Sequence, residues 1–176
     1  MSIAPATIPR GIYILDPVRS SCGFAVRHNG VSTFRGHFDQ FDARLVDGVL
    51  TGTAEVESIA TGIPELLTAL TSPVFFDVSK TPTVEFRSTD IRVATDDSVD
   101  VDGELTIRAR PQPVTATGKV EVRLGLRGPA VGFDLSTVVD RRRFGLVWQA
   151  ALPSGGEALG WDVTLDVHLE LAAADA

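Results

Sequence analysis

The sequence predicts an all-β protein made of long antiparallel strands, and three observations carry that expectation. The first is alternation. In "VTATGKVEVRLGL" the residues Val114, Ala116, Val120, Val122, Leu124 and Leu126 fall on even positions, while Thr115, Thr117, Lys119, Glu121 and Arg123 fall on odd ones. A period of two marks strands with one dry and one wet face. The second is number and length: about eight such regions recur, longer than the usual ~5–6 residues. The third is punctuation, with turn signals such as Asp47-Gly48 and Gly128-Pro129 between them. Long antiparallel strands in that number form a sandwich or a closed barrel, since closure removes exposed edges.

Taken in order, residues 1–11 read as a flexible tail, 12–171 as one domain and 172–176 as a second tail. "FAVRHNGVSTFRGHFDQF" comes first and is awkward, because Phe34, Phe38 and Phe41 are spaced i, i+4, i+7 like one helical face. Val31, Ser32 and Thr33 favour a strand, and Gly36 would weaken a helix by about 1 kcal/mol. A bulge at Asp39–Gln40 in one long strand would turn both Phe38 and Phe41 inward. "LTGTAEVES" follows as a strand with Leu50, Ala54 and Val56 in phase. "TGIPELLTALTSP" breaks the pattern: Leu66, Leu67 and Leu70 have helical spacing, Pro64 suits a first turn and Pro73 a stop, so a helix of about two turns is expected. After the Phe75-Phe76 pair come further strands, with Val99, Val101, Gly103, Leu105, Ile107 and Ala109 in phase, and near the end Val163, Leu165, Val167, Leu169 and Leu171.

The 176-residue chain carries a formal charge of −7, with 44% hydrophobic and 22% charged residues. That balance is globular rather than disordered. Its sign is wrong for a nucleic-acid binder, and an anionic membrane would repel the protein as a whole. Only "DRRRF" offers a local basic patch. No apolar run is long enough to span a membrane, and no secretory leader is recognisable, so a cytoplasmic protein is expected. The single cysteine, Cys22, precludes an internal disulfide.

Chemistry-bearing motifs are scarce. There is no nucleophile elbow, phosphate-binding loop or dinucleotide fingerprint, and no His/Cys spacing suits a metal. Of the three histidines, His37 and His168 fall on outward parity, while His28 shares an apolar face with Cys22, Phe24 and Val26. Phe24, Phe34, Phe38, Phe41, Phe86, Phe133 and Phe144 are expected on the inner surface. Those rings either fill a core or line a cavity, because an eight-stranded barrel is just wide enough for either.

Several separated stretches resemble one family in the right order. "YILDPVRSSCGFAVRHNGVSTFRGHFDQF", "SPVFFDVSKTPTVEF", "GELTIRARPQPVT" and "VDRRRFGLVWQAALPSGGEALGWDVTLDVHLEL" are similar to the successive motifs of the YceI-like, polyisoprenoid-binding, lipocalin-like proteins, across roughly residues 12–171. Arg19, Arg143, Ala109-Arg110 and Trp161 depart from the family's usual residues. The resemblance implies an eight-stranded antiparallel lipocalin-like barrel with one or two short helices. It also implies a non-catalytic binding role, with an apolar tunnel for a polyisoprenoid or isoprenoid quinone and no other cofactor. The expected wall is Phe24, Val26, Phe34, Phe38, Phe86, Leu105, Ile107, Phe133, Phe144 and Trp148, with His28 and Arg141 at polar ends. Asp140-Arg141 is equally open to being a structural ion pair that closes the barrel. Family members are often dimers, so a homodimer is an expectation drawn from the resemblance alone. Two other readings stay open: a filled barrel acting as a protein-interaction module, and an enzyme acting on an apolar substrate near His28.

Overall fold

The computed structural model describes residues 6–126 and 128–174. Eleven strands pair into one antiparallel sheet: β1 (Ile12–Leu15), β2 (Ser21–His28), β3 (Ser32–Phe38), β4 (Phe41–Val46), β5 (Val49–Glu55), β6 (Ile59–Ala60), β7 (Thr83–Val93), β8 (Ser98–Ile107), β9 (Arg110–Gly125), β10 (Gly128–Asp140) and β11 (Leu159–Ala173). Among the described residues one α-helix, α1 (Pro64–Thr71), lies between β6 and β7.

The sheet closes on itself. β11 pairs with β10 along one edge, and along the other with β2 through residues 159–168 and with β1 through 171–173. β1 and β2 are thus two pieces of one stave, as are β3 with β4 and β5 with β6, so the eleven strands make a closed eight-stranded barrel. Closure leaves most backbone donors and acceptors paired without a free edge.

The break between β3 and β4 settles the phenylalanine spacing. Asp39 and Gln40 are not a bulge within one ladder; there the chain leaves β2 and β6 and begins to pair with β1 and β5. Ser58 holds the bend, its carbonyl accepting from Asp39 N at 3.0 Å and its hydroxyl from Gln40 N at 2.9 Å. Two unpaired residues shift the parity, so both Phe38 and Phe41 face inward.

Turn chemistry matches the strand joins. Asp47 and Gly48 both have positive φ, as the two-residue hairpin between β4 and β5 requires. Arg108 and Ala109 adopt the same left-handed geometry between β8 and β9, which costs more without glycine. In β7, a register shift between Ser88 and Asp90 leaves Leu50 N donating to the buried Ser88 hydroxyl at 2.8 Å. Leu124 and Leu126, expected on the dry face, are exposed because the β9–β10 hairpin projects past the barrel.

The described residues next to each end of the chain pair or pack with the barrel. Gly11 N donates to the Asp47 carboxylate at 2.9 Å, and Ala6 and Ile8 pack on the core. β11 continues through Ala173 because Tyr13 pairs with it. Residues 1–5 and 175–176, the ends of the two expected tails, lie outside the described residues.

The register also gives the barrel two unlike ends. One, the base, gathers the β4–β5 turn, the β7–β8 turn and the end of β11. The other, the mouth, gathers the β2–β3 and β8–β9 turns, α1 and the long β10–β11 connection. The wall loosens at the mouth. β9 pairs with β10 only as far as Thr117, and β3 bonds β6 only through His37 and Phe38. Pro111 and Pro113 fall where β9 has β8 as its one strand neighbour, so their missing N–H groups cost little.

Candidate ligand-binding cavity

The two halves of the barrel interior are filled differently. At the base Tyr13, Leu45, Leu50, Val101, Val120, Val131 and Leu171 form a dense core. Towards the mouth a cavity of about 700 Å³ opens, inside the ~300–1,000 Å³ range of small-molecule sites. Strands from around the barrel supply its sides. Leu66 and Leu70 of α1, with Phe75 and Phe76 just after it, close it from above.

Glycine opposite phenylalanine helps to keep this half hollow. Phe24 sits across from Gly36, where an added Cβ would come within 2.5 Å of Phe24 Cζ. The ring therefore lies flat over the glycine instead of projecting across the barrel. Phe86 lies over Gly103 in the same manner. Phe24 also packs against Phe34 and Phe38 at centroid distances of 6.1 and 5.9 Å, and Phe75 meets Trp148 at 5.7 Å.

Most of the residues expected at the site come together here. Phe24, Val26, Phe34, Phe38, Phe86, Leu105 and Ile107 line the cavity from the strands, and Phe144 and Trp148 line it from the β10–β11 connection. His28 also lines it, exposed at the mouth beside Ser32. Phe133 does not. Its ring is 1% exposed within the base core, so it belongs to the filled half and not to the tunnel wall. Its parity is inward as expected, but parity says nothing about height along the barrel axis. Residues passed over include Ile63, Leu66, Leu70, Phe75, Phe76, Leu146 and Leu159. The leucine spacing of α1 and the Phe75-Phe76 pair were the available signals, but a helix's apolar face does not declare which cavity it covers.

Arg141 lies in the cavity wall, but its side chain is committed to the main chain and not to Asp140. It is 3% exposed, and its partners are main-chain carbonyls. Nε donates to Gly160 O at 2.8 Å, Nη1 to Leu146 O at 2.6 Å and Trp148 O at 2.8 Å, and Nη2 to Leu159 O at 3.1 Å. One side chain thereby ties the start of β11 to the connection that precedes it, with its guanidinium 4.2 Å from the Trp161 ring centre. Burial pulls its pKa below the ordinary arginine value, opposed by Glu157 and Asp140. Asp140 closes no ion pair with Arg141. Its carboxylate accepts from Arg142 Nη2 at 2.7 Å and caps the short helical turn at Arg142 N.

The hydrogen bonds from Arg142 hold the Asp140 carboxyl below its ordinary value. A depressed folded-state pKa adds stability that is present above the unfolded value near ~3.9 and lost as pH falls through the folded one. Acid titrations of wild-type and Arg142→Ala protein should therefore differ at neutral pH and converge once Asp140 is protonated.

Cys22 sits in the cavity wall, and burial pushes its thiol up to about 11. Alkylation at pH 8 should run about a hundredfold slower in native protein than in denaturant. Equal rates would place the thiol in water. Among the described residues no cluster of His, Cys, Asp or Glu is arranged to hold a metal ion.

The pattern of a half-filled barrel with an apolar mouth can be set against known proteins. The YceI-like domain matches residues 13–171. This chain belongs to the YceI-like family. A UPF0312 protein of Staphylococcus epidermidis is 28% identical over 170 residues, covering 89% of this chain and 95% of its own. A UPF0312 protein of Pseudomonas aeruginosa is 31% identical over 133 residues, 70% of this chain and 69% of its own. Among solved structures, the Campylobacter jejuni YCEI protein superposes with a TM-score of 0.73 at 20% identity, covering 85% of this chain and 90% of that one. A polyisoprenoid binding domain from Saccharophagus degradans gives 0.73 at 17% identity, covering 92% and 98%. Both structures share the YceI-like barrel with this chain.

Proposed function

We propose that this YceI-like chain is a non-catalytic binding protein. It holds a long apolar isoprenoid lipid, a polyisoprenoid or an isoprenoid quinone, for storage, transport or sequestration. The observation that carries the reading is the cavity itself: a volume of about 700 Å³, open at the mouth, whose walls are almost wholly aliphatic and aromatic. An interaction module with a filled barrel would have no use for the flattened Phe24 and Phe86 rings. Burial of each five-carbon isoprene unit contributes about 4 kcal/mol, at roughly 0.8 per carbon, before entropy and desolvation are subtracted. A handful of units therefore suffices without any polar contact. The description of the Saccharophagus degradans domain as polyisoprenoid binding supports the same guest class. Arg141 borders the cavity as a buried cation whose named hydrogen bonds all go to neutral carbonyls. It favours a guest end that carries an acceptor oxygen, and His28 offers a second polar contact at the mouth.

The direct test is mass spectrometry of an organic-solvent extract of natively purified protein. A stoichiometric isoprenoid is expected; a clean extract, repeated after a quinone and a polyprenol have been offered, would sink the proposal. A variant reads out the space. In Gly36→Val the new side chain meets Phe24 and swings its ring into the cavity. Guest content should fall severalfold, at a stability cost of about 1–3 kcal/mol. Unchanged guest content would mean that the guest lies elsewhere.

A further inference from the structure

Four residues belong to both halves of the barrel. Ala43, Leu50, Leu135 and Leu169 are members of the base core, and each also lines the cavity. One inward position closer to the base, on three of the same strands, stand Leu45, Phe133 and Leu171, none more than 1% exposed. The change from hollow to solid is therefore completed within a single inward step along β4, β10 and β11. That makes a floor. It is aliphatic throughout, while the polar side chains Arg141 and His28 border the cavity at the mouth end.

A floor fixes both the direction and the depth to which a guest enters. A hydroxyl or carbonyl carried down to it would lose its water and meet only aliphatic side chains. The hydrocarbon end therefore goes in first and the polar end stays by the mouth. Depth follows from volume. At the ~0.74 packing density of protein interiors, a five-carbon isoprene unit needs about 100 Å³. A cavity of about 700 Å³ thus holds about five to seven units, the lower figure for a chain that fills it less tightly than a core. A longer chain cannot pass the floor, and each further unit stays outside the cavity, where burial no longer supports it.

We infer that this floor sets the chain length of the guest. The cavity selects an isoprenoid of about five to seven units, seated tail down with its polar end near Arg141. The inference rests on the reading that the cavity takes an isoprenoid guest. Ala116 is the position from which the floor can be raised. It faces inward opposite Val101, packs on the base core and lines the cavity, half-buried. Phenylalanine there adds about 100 Å³ of side chain just above the floor, the space of one isoprene unit, without displacing a buried core residue. Leu135→Ala acts in the opposite direction, deepening the cavity by most of one unit.

Competition among prenols tests this. Phosphatidylcholine vesicles carrying equal amounts of all-trans prenols of two, four, six and nine isoprene units are mixed with the full chain, and the prenols captured by the protein are counted by mass spectrometry. Straight-chain alcohols of matching lengths are offered in parallel. Wild-type protein should take the six-unit prenol roughly tenfold or more over the nine-unit one, whose surplus units would leave the bilayer for water. It should also prefer it to the two-unit prenol, which leaves much of the cavity lining without contacts. Ala116→Phe should move the preference from six units to four, and Leu135→Ala should raise the nine-unit share severalfold. Urea unfolding shows that each variant is folded, with Ala116→Leu as the smaller step if Ala116→Phe is not. Nine-unit capture equal to six-unit capture would overturn the inference, as would a length profile that none of the folded variants moves. Straight-chain alcohols captured with the same length ceiling, with no prenol taken, would remove the isoprenoid reading and leave the floor standing. Capture of neither class would remove both.

Discussion

Arg141→Met should lower the unfolding free energy by about 3–5 kcal/mol. Methionine fills much of the same space but donates nothing, so Leu146, Trp148 and Gly160 each lose a hydrogen bond at their carbonyls, while Leu159 O keeps the one from Gln149 Nε2 at 2.6 Å. A buried acceptor left without a donor costs about 1–3 kcal/mol, and relief of the guanidinium's own burial offsets part of the total. The damage should be localised. Arg141 ties Leu146 and Trp148 to the start of β11, alongside the bonds between Gln149 and Leu159, so the mouth should loosen while the base core persists. Urea denaturation measures the loss, and Trp161 fluorescence reports the site, because the guanidinium lies over that ring. Arg142→Met is the comparison: its ion pair with Asp140 is exposed, and about 1 kcal/mol or less is expected. An Arg141→Met protein within 1 kcal/mol of wild type would mean that the carbonyls find water instead.

The second large effect separates the filled half of the barrel from the hollow one. Phe133→Ala should cost about 3–5 kcal/mol, because it removes a ring from a close-packed core that cannot collapse around the space. Guest content should not change. Phe24→Ala should cost less, about 1–2 kcal/mol, since its ring already borders open volume and only its contacts with Gly36, Phe34 and Phe38 are lost. Guest retention should fall instead. Thermal or urea unfolding paired with extract mass spectrometry gives both quantities for each variant. Equal stability losses with equal guest loss would contradict a barrel divided into core and cavity.

Particular residues mark how far sequence reasoning reaches. Strand identity and inward parity were legible for Phe24, Val26, Phe38, Leu105 and Ile107, because alternation is a local property of a pleated chain. The helix at 64–71 was legible from leucine spacing and proline placement. The division at Asp39–Gln40 shows in the sequence only as a spacing anomaly, since a bulge and a change of pairing partner leave the same trace in one strand. For Arg141 the error was of another kind. A neighbouring aspartate in sequence suggested an ion pair, whereas the guanidinium turned inward to carbonyls from residues 146–160 and Asp140 took Arg142.

The sequence by itself determined the all-β class, the family, the inward set of side chains and the basic character of the DRRRF segment. Those properties depend on residue type and on spacing along a single strand. Only the tertiary structure decided that Phe133 packs in a solid base while Phe24 and Phe86 line a void. Height along the barrel is set by the register between strands distant in sequence, such as Phe133 with Val120 and Leu169. No periodicity within one strand encodes that register, because it comes from all the strands closing together.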